Sequence, residues 1–265
     1  MPGKHFVLTH GRSGSNFLVN SINLHPDLVN YGEVLGEWTL PYKLYQFSRV
    51  WYQGWPVYLD SLYTKKALFY ASQLVSAFSH IKKHKPLNLK RFRDIQSIGI
   101  KDFAFLLEKR DLLDYLVSRD DIKIIYLSRD NHLKRYISLL NMKKTGQVLS
   151  EGNFNLSSKN CHSVNIPELL SSLDQYEKEE KAGLEILAKI QDSRKLLIEY
   201  DHYFSSEEVI KEINREVFSF LGVENFQLVS QHKKIMSNNL PEIICNFDEV
   251  AEALSGTEYE KYLSG

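Results

Sequence analysis

The sequence predicts a three-layer α/β fold in which a central parallel sheet carries helices on both faces. Two observations support this. Short apolar runs typical of buried parallel strands recur at 5–10, 97–103, 122–130 and 195–200. Helical patterns separate these runs, and an alternation of strands and helices builds a parallel sheet that is covered on both sides.

Length and composition favour one domain over two. The chain has 265 residues and no linker rich in proline, glycine or serine, so we expect a single domain over 1–265 with insertions. Its 33 basic residues balance 33 acidic ones, which argues against bulk binding to nucleic acid. No secretory segment and no bilayer-spanning apolar stretch is evident, which predicts a cytoplasmic protein. Two cysteines, Cys161 and Cys245, are too few for a disulfide framework, and we expect them reduced and buried.

Three helices can be justified from their patterns. After the first apolar run, Phe17, Leu18, Ser21 and Ile22 share one helical face. A second helix is indicated by Leu169, Leu173 and Tyr176. The third covers 206–221, with Ser205 and Glu208 as a capping box and Gly222 as the C-cap. Its apolar stripe consists of Val209, Ile213, Val217 and Leu221.

Two stretches interrupt the alternation. The first, at about 38–93, is rich in aromatic residues and ends in a basic run; the second, at about 144–167, is polar and turn-prone, as a lid-like loop would be. Long insertions in α/β proteins usually lie over the ends of the strands, where ligands bind.

The turn after the first strand, "HGRSGSN", has the design of a phosphate loop. Backbone N–H groups of the turn and of the helix N-terminus converge on an anion, and Gly11 and Gly14 allow a close approach. Side-chain donors come from Arg12, Ser13, Ser15 and Asn16. The loop lacks the lysine of G-x-x-x-x-G-K-[ST], so the kinase version is not present. A tight turn with a purely structural role is the alternative.

A second group of polar residues follows the strand at 122–130, in "SRDNHLKRYIS". Helical spacing places Asn131, Arg135 and Ser138 on one face, and Arg129 points into the same crevice. An arginine and a serine nine residues apart are suited to hold a second phosphate. The alternative is that the arginines pair with surface acids such as Asp130.

Together the two motifs resemble those of the sulfotransferase superfamily that uses 3′-phosphoadenosine 5′-phosphosulfate (PAPS). "GRSGSNFL" is similar to its 5′-phosphosulfate loop and "RDNHLKRYIS" to its 3′-phosphate motif. More particularly, the chain is similar to the bacterial branch that includes trehalose and lipopolysaccharide-type sulfotransferases. The resemblance implies a P-loop NTPase-like fold and transfer of a sulfuryl group from PAPS to a hydroxyl of a carbohydrate, glycolipid or related small acceptor.

The resemblance also implies roles for individual residues. The 5′-phosphosulfate would be held by residues 12–16, which are Arg12, Ser13, Gly14, Ser15 and Asn16. The 3′-phosphate would be held by Arg129 and Ser138. Arg12 stands where many relatives have a catalytic lysine, so it would stabilise the leaving phosphate. Asn16 replaces the usual threonine or serine.

Three further positions have a functional and a structural interpretation. Lys101 stands where relatives often have a second lysine, or else it pairs with Asp102 at the edge of the core. Tyr200 would lie beside the adenine, or is an ordinary strand-end tyrosine. Lys233, with Lys234, would belong to a basic loop that closes on the 3′-phosphate, or forms a solvated surface pair.

Cytosolic relatives use a histidine base at the position that Phe103 occupies here, so the base must come from elsewhere. Glu33 is our first candidate for the base, Glu37 the second and His25 a distant third. The alternative is that both glutamates are merely exposed charges on a loop. We expect no metal, because no convincing ligand cluster is evident and a sulfuryl group carries less charge than a terminal phosphate.

The acceptor and the rival functions remain open at this point. Aromatic residues of the insertion would stack on sugars, line a lipid groove or simply form core: Trp38, Trp51, Tyr52, Trp55 and Tyr58. The basic run at 80–93 would dock an anionic acceptor or a membrane surface, or is a solvated helix end. The rival functions are a nucleotide or small-molecule kinase and a non-catalytic nucleotide-binding module.

Overall fold

A computed structural model describes residues 1–82, 84, 86–145, 161–227 and 239–264 of the chain. Its centre is a sheet of five strands: β1 Gly3–Thr9, β2 Leu28–Asn30, β3 Ser97–Phe103, β4 Ile122–Ser128 and β5 Lys195–Glu199. All neighbouring strands run parallel, in the order β2-β3-β1-β4-β5. The four apolar runs are therefore strands, as predicted.

The two faces of the sheet belong to separate hydrophobic clusters. Side chains alternate along each strand, so Phe6 and Ile124 pack on one face while Val7, Ile125 and Ile198 pack on the other. Helical residues complete both clusters, Ile186 and Leu187 on the first face and Val217 and Phe218 on the second. The prediction of a three-layer α/β fold is confirmed.

Helices fill the intervals between the strands. Before β3 they are α1 Ser15–Leu24, α2 Leu40–Ser48, α3 Trp55–Thr64 and α4 Lys66–Lys82. Between β3 and β5 they are α5 Ala104–Lys109, α6 Leu113–Val117, α7 His132–Thr145 and α8 Ile166–Ala188. After β5 they are α9 Tyr200–Tyr203, α10 Glu207–Leu221, α11 Leu240–Ile243 and α12 Phe247–Leu254. Within the described ranges, every helix is too short or too polar to cross a bilayer.

The three predicted helices are present, with one correction at a cap. In α10 the N-cap is Ser206 rather than Ser205, because the hydroxyl of Ser206 accepts a hydrogen bond from Val209 N. The hydroxyl of Ser205 instead donates to the carbonyl of His202. Gly222 ends the helix in the left-handed conformation, as predicted.

The two interruptions differ in structure. The insertion at 38–93 contains α2, α3 and α4. The second stretch begins inside α7 and ends inside α8, and residues 146–160 between them lie outside the described residues.

The expectation of reduced, buried cysteines is wrong. Cys161 and Cys245 form a disulfide with a Cα–Cα distance of 5.1 Å, and Cys245 is exposed. The backbone explains the pairing, because His162 N donates to Ile243 O at 2.8 Å and Cys245 N donates to His162 O at 3.0 Å. The number of cysteines could not reveal this contact between segments 84 residues apart.

Candidate functional site

The predicted site residues come from the carboxyl ends of neighbouring strands. Arg12 follows β1, Lys101 lies near the end of β3, Arg129 follows β4 and Tyr200 follows β5. Because the strands are parallel and adjacent in the order β3-β1-β4-β5, these ends meet at one edge of the sheet. Ligands of open α/β sheets bind in a crevice at this edge, where the strand order reverses.

The loop between β1 and α1 is held by its own polar groups. Arg12 and Gly14 have left-handed backbones, with φ of 66° and 79°. The Ser13 hydroxyl donates to His10 O at 2.9 Å and lies 2.5 Å from the Thr9 hydroxyl. The side chain of Ser13 therefore fixes the loop, and its backbone N–H is the donor left for an anion.

Gly14 permits close packing of aromatic rings on the loop. A Cβ at this position would lie 2.7 Å from the ring of Phe204 and 2.9 Å from that of Tyr200. Tyr200 is thus positioned over the loop through its contact with Gly14. Its role beside adenine stays a prediction.

Arg12 connects the two sequence motifs. Its Nε and Nη2 atoms donate to Ser138 Oγ at 3.2 and 3.1 Å. Its Nη1 lies 3.5 Å from the sulfur of Met142 on the same helix, α7. The guanidinium of the first motif therefore lies against the serine of the second.

Arg129 is buried beneath the same loop. Its Nη1 donates to the Arg12 carbonyl at 3.0 Å, and its guanidinium lies 4.2 Å from the centre of the Tyr200 ring. The Nε atom is buried without a hydrogen-bond partner among the described residues. A buried donor in this state is costly, and a ligand oxygen would satisfy it.

Arg135 is a third buried arginine at this loop, to which the sequence assigned no role. Its Nε donates to Gly11 O at 2.7 Å, its Nη2 contacts Glu179 at 2.5 Å, and its guanidinium stacks on Tyr176. Its Nη1 is buried without a partner among the described residues. The sequence held a signal for this position of Arg135: helical spacing places it on the same face of α7 as Ser138, and both residues contact the loop.

Asn131 does not share that face, contrary to the prediction. It precedes α7, and its Oδ1 accepts a hydrogen bond from Lys134 N at 2.9 Å. Its Nδ2 donates to Tyr262 O at 3.0 Å. The short amide side chain is thus used to start the helix.

The cluster of Arg12, Arg129 and Arg135 concentrates positive charge at the loop. Burial lowers the pKa of Arg12, and the nearby Arg129 lowers it further. Burial likewise lowers the pKa of Arg129, and Arg135 adds to that effect. Glu179 pairs with Arg135, while Tyr200, Asp201 and Glu199 act on the pKa of Arg129 in the opposite direction to burial. An oxyanion bound here would offset the repulsion and occupy the unpartnered donors.

A second group of polar side chains surrounds Lys101. Its Nζ lies 2.5 Å from Glu33 Oε1 and 3.1 Å from Asn16 Oδ1. The other oxygen of Glu33 accepts a hydrogen bond from the Trp38 indole at 2.7 Å. The Lys101 side chain is buried, whereas about a fifth of the Glu33 side chain is exposed. Glu33, Lys101 and the phosphate loop therefore meet at one place.

Asp102 is not the partner of Lys101. Its Oδ2 accepts hydrogen bonds from Val34 N at 2.8 Å and Leu35 N at 2.7 Å, which holds the segment that carries Glu33. Burial raises the pKa of Asp102 to about 6, although these N–H groups act in the opposite direction. Asp102 thus positions Glu33 through the backbone.

The two other candidates for a base have different surroundings. Glu37 is exposed and accepts from Lys109 and Arg110, both at 3.0 Å, which lowers its pKa. His25 lies at the opposite edge of the sheet, just before β2, where Asp27 N donates to its Nδ1 at 3.1 Å. Of the three, Glu33 is the one that contacts Lys101 beside the phosphate loop.

Most aromatic residues of the insertion form core. Trp55 stacks on Tyr45 with ring centres 3.8 Å apart, Tyr58 is buried, and Tyr52 packs edge-on against Tyr58. Trp38 and Trp51 are exposed. Of the five aromatic candidates, Tyr52, Trp55 and Tyr58 therefore follow the core alternative that the sequence left open. Lys233 and Lys234 lie outside the described residues.

One group of described side chains has the spacing of metal ligands. The ligand atoms of His132, Glu177 and Glu180 lie within 4.8 Å of one another. However, Lys261 Nζ lies 2.8 Å from Glu177, which also accepts a hydrogen bond from the Tyr262 hydroxyl. A cation is therefore already in place, and we interpret the group as an ion-pair cluster. The expectation of a metal-free reaction stays a prediction.

Comparisons with known proteins were made for the whole chain. No family model matches it, and no curated protein sequence does. A sulfotransferase domain from the Synechococcus PCC 7002 olefin synthase is 16% identical, with 94% of this chain and 83% of that one covered and a TM-score of 0.46. A sulfotransferase from Alicyclobacillus acidocaldarius is 14% identical, with 99% and 96% covered and a TM-score of 0.46.

A third similar structure is retinol dehydratase in complex with retinol and 3′-phosphoadenosine 5′-phosphate (PAP), which is 12% identical, with 97% and 82% covered and a TM-score of 0.43. Two of the three are sulfotransferases.

Proposed function

We propose that this protein is a PAPS-dependent sulfotransferase that transfers a sulfuryl group to a hydroxyl of a carbohydrate, glycolipid or related small acceptor. The observation that carries the proposal is the pair of adjoining clusters at one sheet edge. One cluster, formed by Arg12, Arg129 and Arg135, contains two buried donors, Arg129 Nε and Arg135 Nη1, that have no partner among the described residues. The other pairs Lys101 with Glu33 beside Asn16 of the phosphate loop.

The arginine cluster supports binding of a nucleotide with phosphates at both ends. The backbone of the phosphate loop would hold the 5′ end, and Arg129 with Ser138 would hold the 3′-phosphate. Arg12 reaches from the loop to Ser138, so its guanidinium would lie between the two ends of such a nucleotide. Arg135 Nη1 would supply a further donor, since it is buried and has no partner in the part of the chain that the structure describes.

The Lys101 cluster supports proton transfer from an acceptor hydroxyl. PAPS supplies a sulfuryl group on a phosphate that leaves with additional negative charge, so the chain must take up a proton and hold that charge. The Lys101 ammonium and the Trp38 indole orient the Glu33 carboxylate, and each carboxylate oxygen keeps a lone pair for the incoming proton. Lys101, together with Arg12, would stabilise the departing phosphate.

A thermal-shift comparison of PAP against ATP with magnesium tests the nucleotide. A ligand that binds only the folded state raises the unfolding temperature, so PAP should stabilise the protein and ATP with magnesium should not. Stabilisation by ATP alone would favour the kinase. PAP binding without transfer to any hydroxyl in a product screen would favour the non-catalytic module.

Arg129→Ala tests the assignment of the 3′-phosphate. Loss of a charge-assisted contact should weaken PAP binding by roughly tenfold to a hundredfold. The affinity for an analogue without the 3′-phosphate should be almost the same in Arg129→Ala as in the wild type. Arg215→Ala, which removes an exposed arginine from α10, is the matched control.

A further inference from the structure

Helix α4 presents an exposed apolar stripe to solvent. Of its 17 residues, Phe69 is the one that is buried. Tyr70, Leu74, Phe78 and Ile81 are exposed and follow one another at helical spacings of four, four and three residues, so they share a face. Leu74 is 60% exposed and Phe78 73%. Large apolar side chains in one stripe mark an interaction surface more often than isolated ones do.

The segment around this stripe is strongly basic. The insertion at 38–93 has ten lysines and arginines and a single acidic residue, Asp60, although the whole chain is balanced. Lys66 and Lys82, at the two ends of α4, are both exposed. After the helix, Arg91 and Arg93 are exposed and share the carboxylate of Asp94. Positive charge therefore lies at both ends of the apolar stripe.

We propose that the α4 face binds the surface of an anionic lipid bilayer. An interfacial helix with exposed aromatic and aliphatic residues on one side and flanking lysines gains from both contacts, since the apolar groups enter the headgroup region and the cations meet anionic lipid. This binding does not depend on the proposed sulfotransferase activity.

The charge pattern favours a bilayer over a second copy of the chain. A symmetric dimer through α4 would bring the same basic segment from both chains together, and like charges at an interface oppose association. A bilayer that contains acidic phospholipid supplies the opposite charge as well as an apolar phase.

Vesicle sedimentation with the full chain tests the inference. The protein should sediment with vesicles of phosphatidylcholine and phosphatidylglycerol, with binding at least about tenfold weaker to phosphatidylcholine alone and decreasing as salt rises. The double variant Leu74→Ser/Phe78→Ser should lose at least about tenfold in binding, and Lys66→Glu/Lys82→Glu should lose a similar amount. Because all four side chains are exposed, thermal unfolding should be nearly unchanged.

Matched controls come from α8 and from Lys189, the residue that follows it. Leu184→Ser and Lys189→Glu change an exposed leucine and an exposed lysine outside the insertion, and neither should alter vesicle binding. Absence of binding to the acidic vesicles would overturn the inference, and so would binding that the α4 variants leave unchanged. A concentration-dependent dimer that Leu74→Ser/Phe78→Ser abolishes would overturn it in favour of a second copy.

Discussion

The guanidinium of Arg12 donates two hydrogen bonds to the hydroxyl of Ser138, across 126 residues of sequence. Arg12 belongs to the loop after β1, and Ser138 lies on α7 after β4. The two motifs therefore share one hydrogen-bonded unit, and a change in one should affect ligand binding at the other.

Ser138→Ala should weaken PAP binding by roughly tenfold to a hundredfold, because it removes an acceptor from Arg12 and a donor for the 3′-phosphate. Isothermal titration with PAP measures the change. Ser172→Ala is the control, since its hydroxyl donates to a carbonyl within α8 and is exposed. Unchanged PAP affinity in Ser138→Ala would contradict the assignment of the second motif.

Glu33→Gln should reduce kcat by roughly a hundredfold to ten-thousandfold, while PAP affinity stays close to that of the wild type. The amide keeps an oxygen for Lys101 but cannot take up the acceptor proton. PAP release with an acceptor identified by screening measures turnover. Glu37→Gln is the matched control, because Glu37 pairs with Lys109 and Arg110. Near-normal turnover in Glu33→Gln would remove Glu33 as the base.

The sheet and the loop were predictable because they depend on local sequence. Apolar runs such as 122–130 give strands, and glycines beside Arg12 give a turn before a helix. The contact of Lys101 with Glu33 was not predictable, since it depends on which way each side chain points across 68 residues. The contacts of Arg135 with Gly11 O and Glu179 depend in the same way on how α7 packs against the loop and α8.

The unexpected disulfide has a similar origin. Cys161 and Cys245 are brought together by backbone hydrogen bonds of His162 with Ile243 and with Cys245 itself. Pairing between distant irregular segments leaves no periodic signal in the sequence. The choice of Ser206 over Ser205 as the cap of α10 was missed for a smaller reason, since Ser205 with Glu208 fits the capping-box pattern whereas Ser206 caps with Val209 at the third helical position.

Asp102 should make the stability of the protein fall as pH rises from about 4 to about 6. Burial raises its pKa from the ordinary value of 3.8 to about 6 in the folded state, so the folded state binds more protons in this window. The ionised, buried carboxylate then lowers the free energy of unfolding by up to about 3 kcal/mol above pH 6.

Urea unfolding of the wild type and Asp102→Asn at steps between pH 4 and 7 isolates this contribution. The difference between the two is needed because His5 and His10 act in the opposite direction. Burial lowers the pKa of each to about 3, so both remove stability as pH falls below 6.5. The asparagine does not titrate, so the substitution itself changes the free energy of unfolding by an amount that does not vary with pH. The slope of the difference curve then comes from Asp102 alone. A difference curve that is flat between pH 4 and 6 would contradict the raised pKa.

Gly14→Ala should destabilise the protein more than Gly256→Ala does. Both glycines have left-handed backbones, with φ of 79° and 70°, so an alanine costs about 1–2 kcal/mol at either position. At Gly256 the added Cβ meets nothing within 4 Å, whereas at Gly14 it lies within 3 Å of the Phe204 and Tyr200 rings. The rings must move, which should add about 1–3 kcal/mol.

The displaced Tyr200 ring should also affect ligand binding, because Arg129 stacks on it. Gly14→Ala should therefore weaken PAP binding, and Gly256→Ala should leave it unchanged. Urea unfolding measures the first effect and isothermal titration the second. Equal destabilisation by the two alanines would mean that the rings yield at no cost. In that case Gly14 would serve only the backbone of the loop, and the packing of Tyr200 over it would not position Arg129.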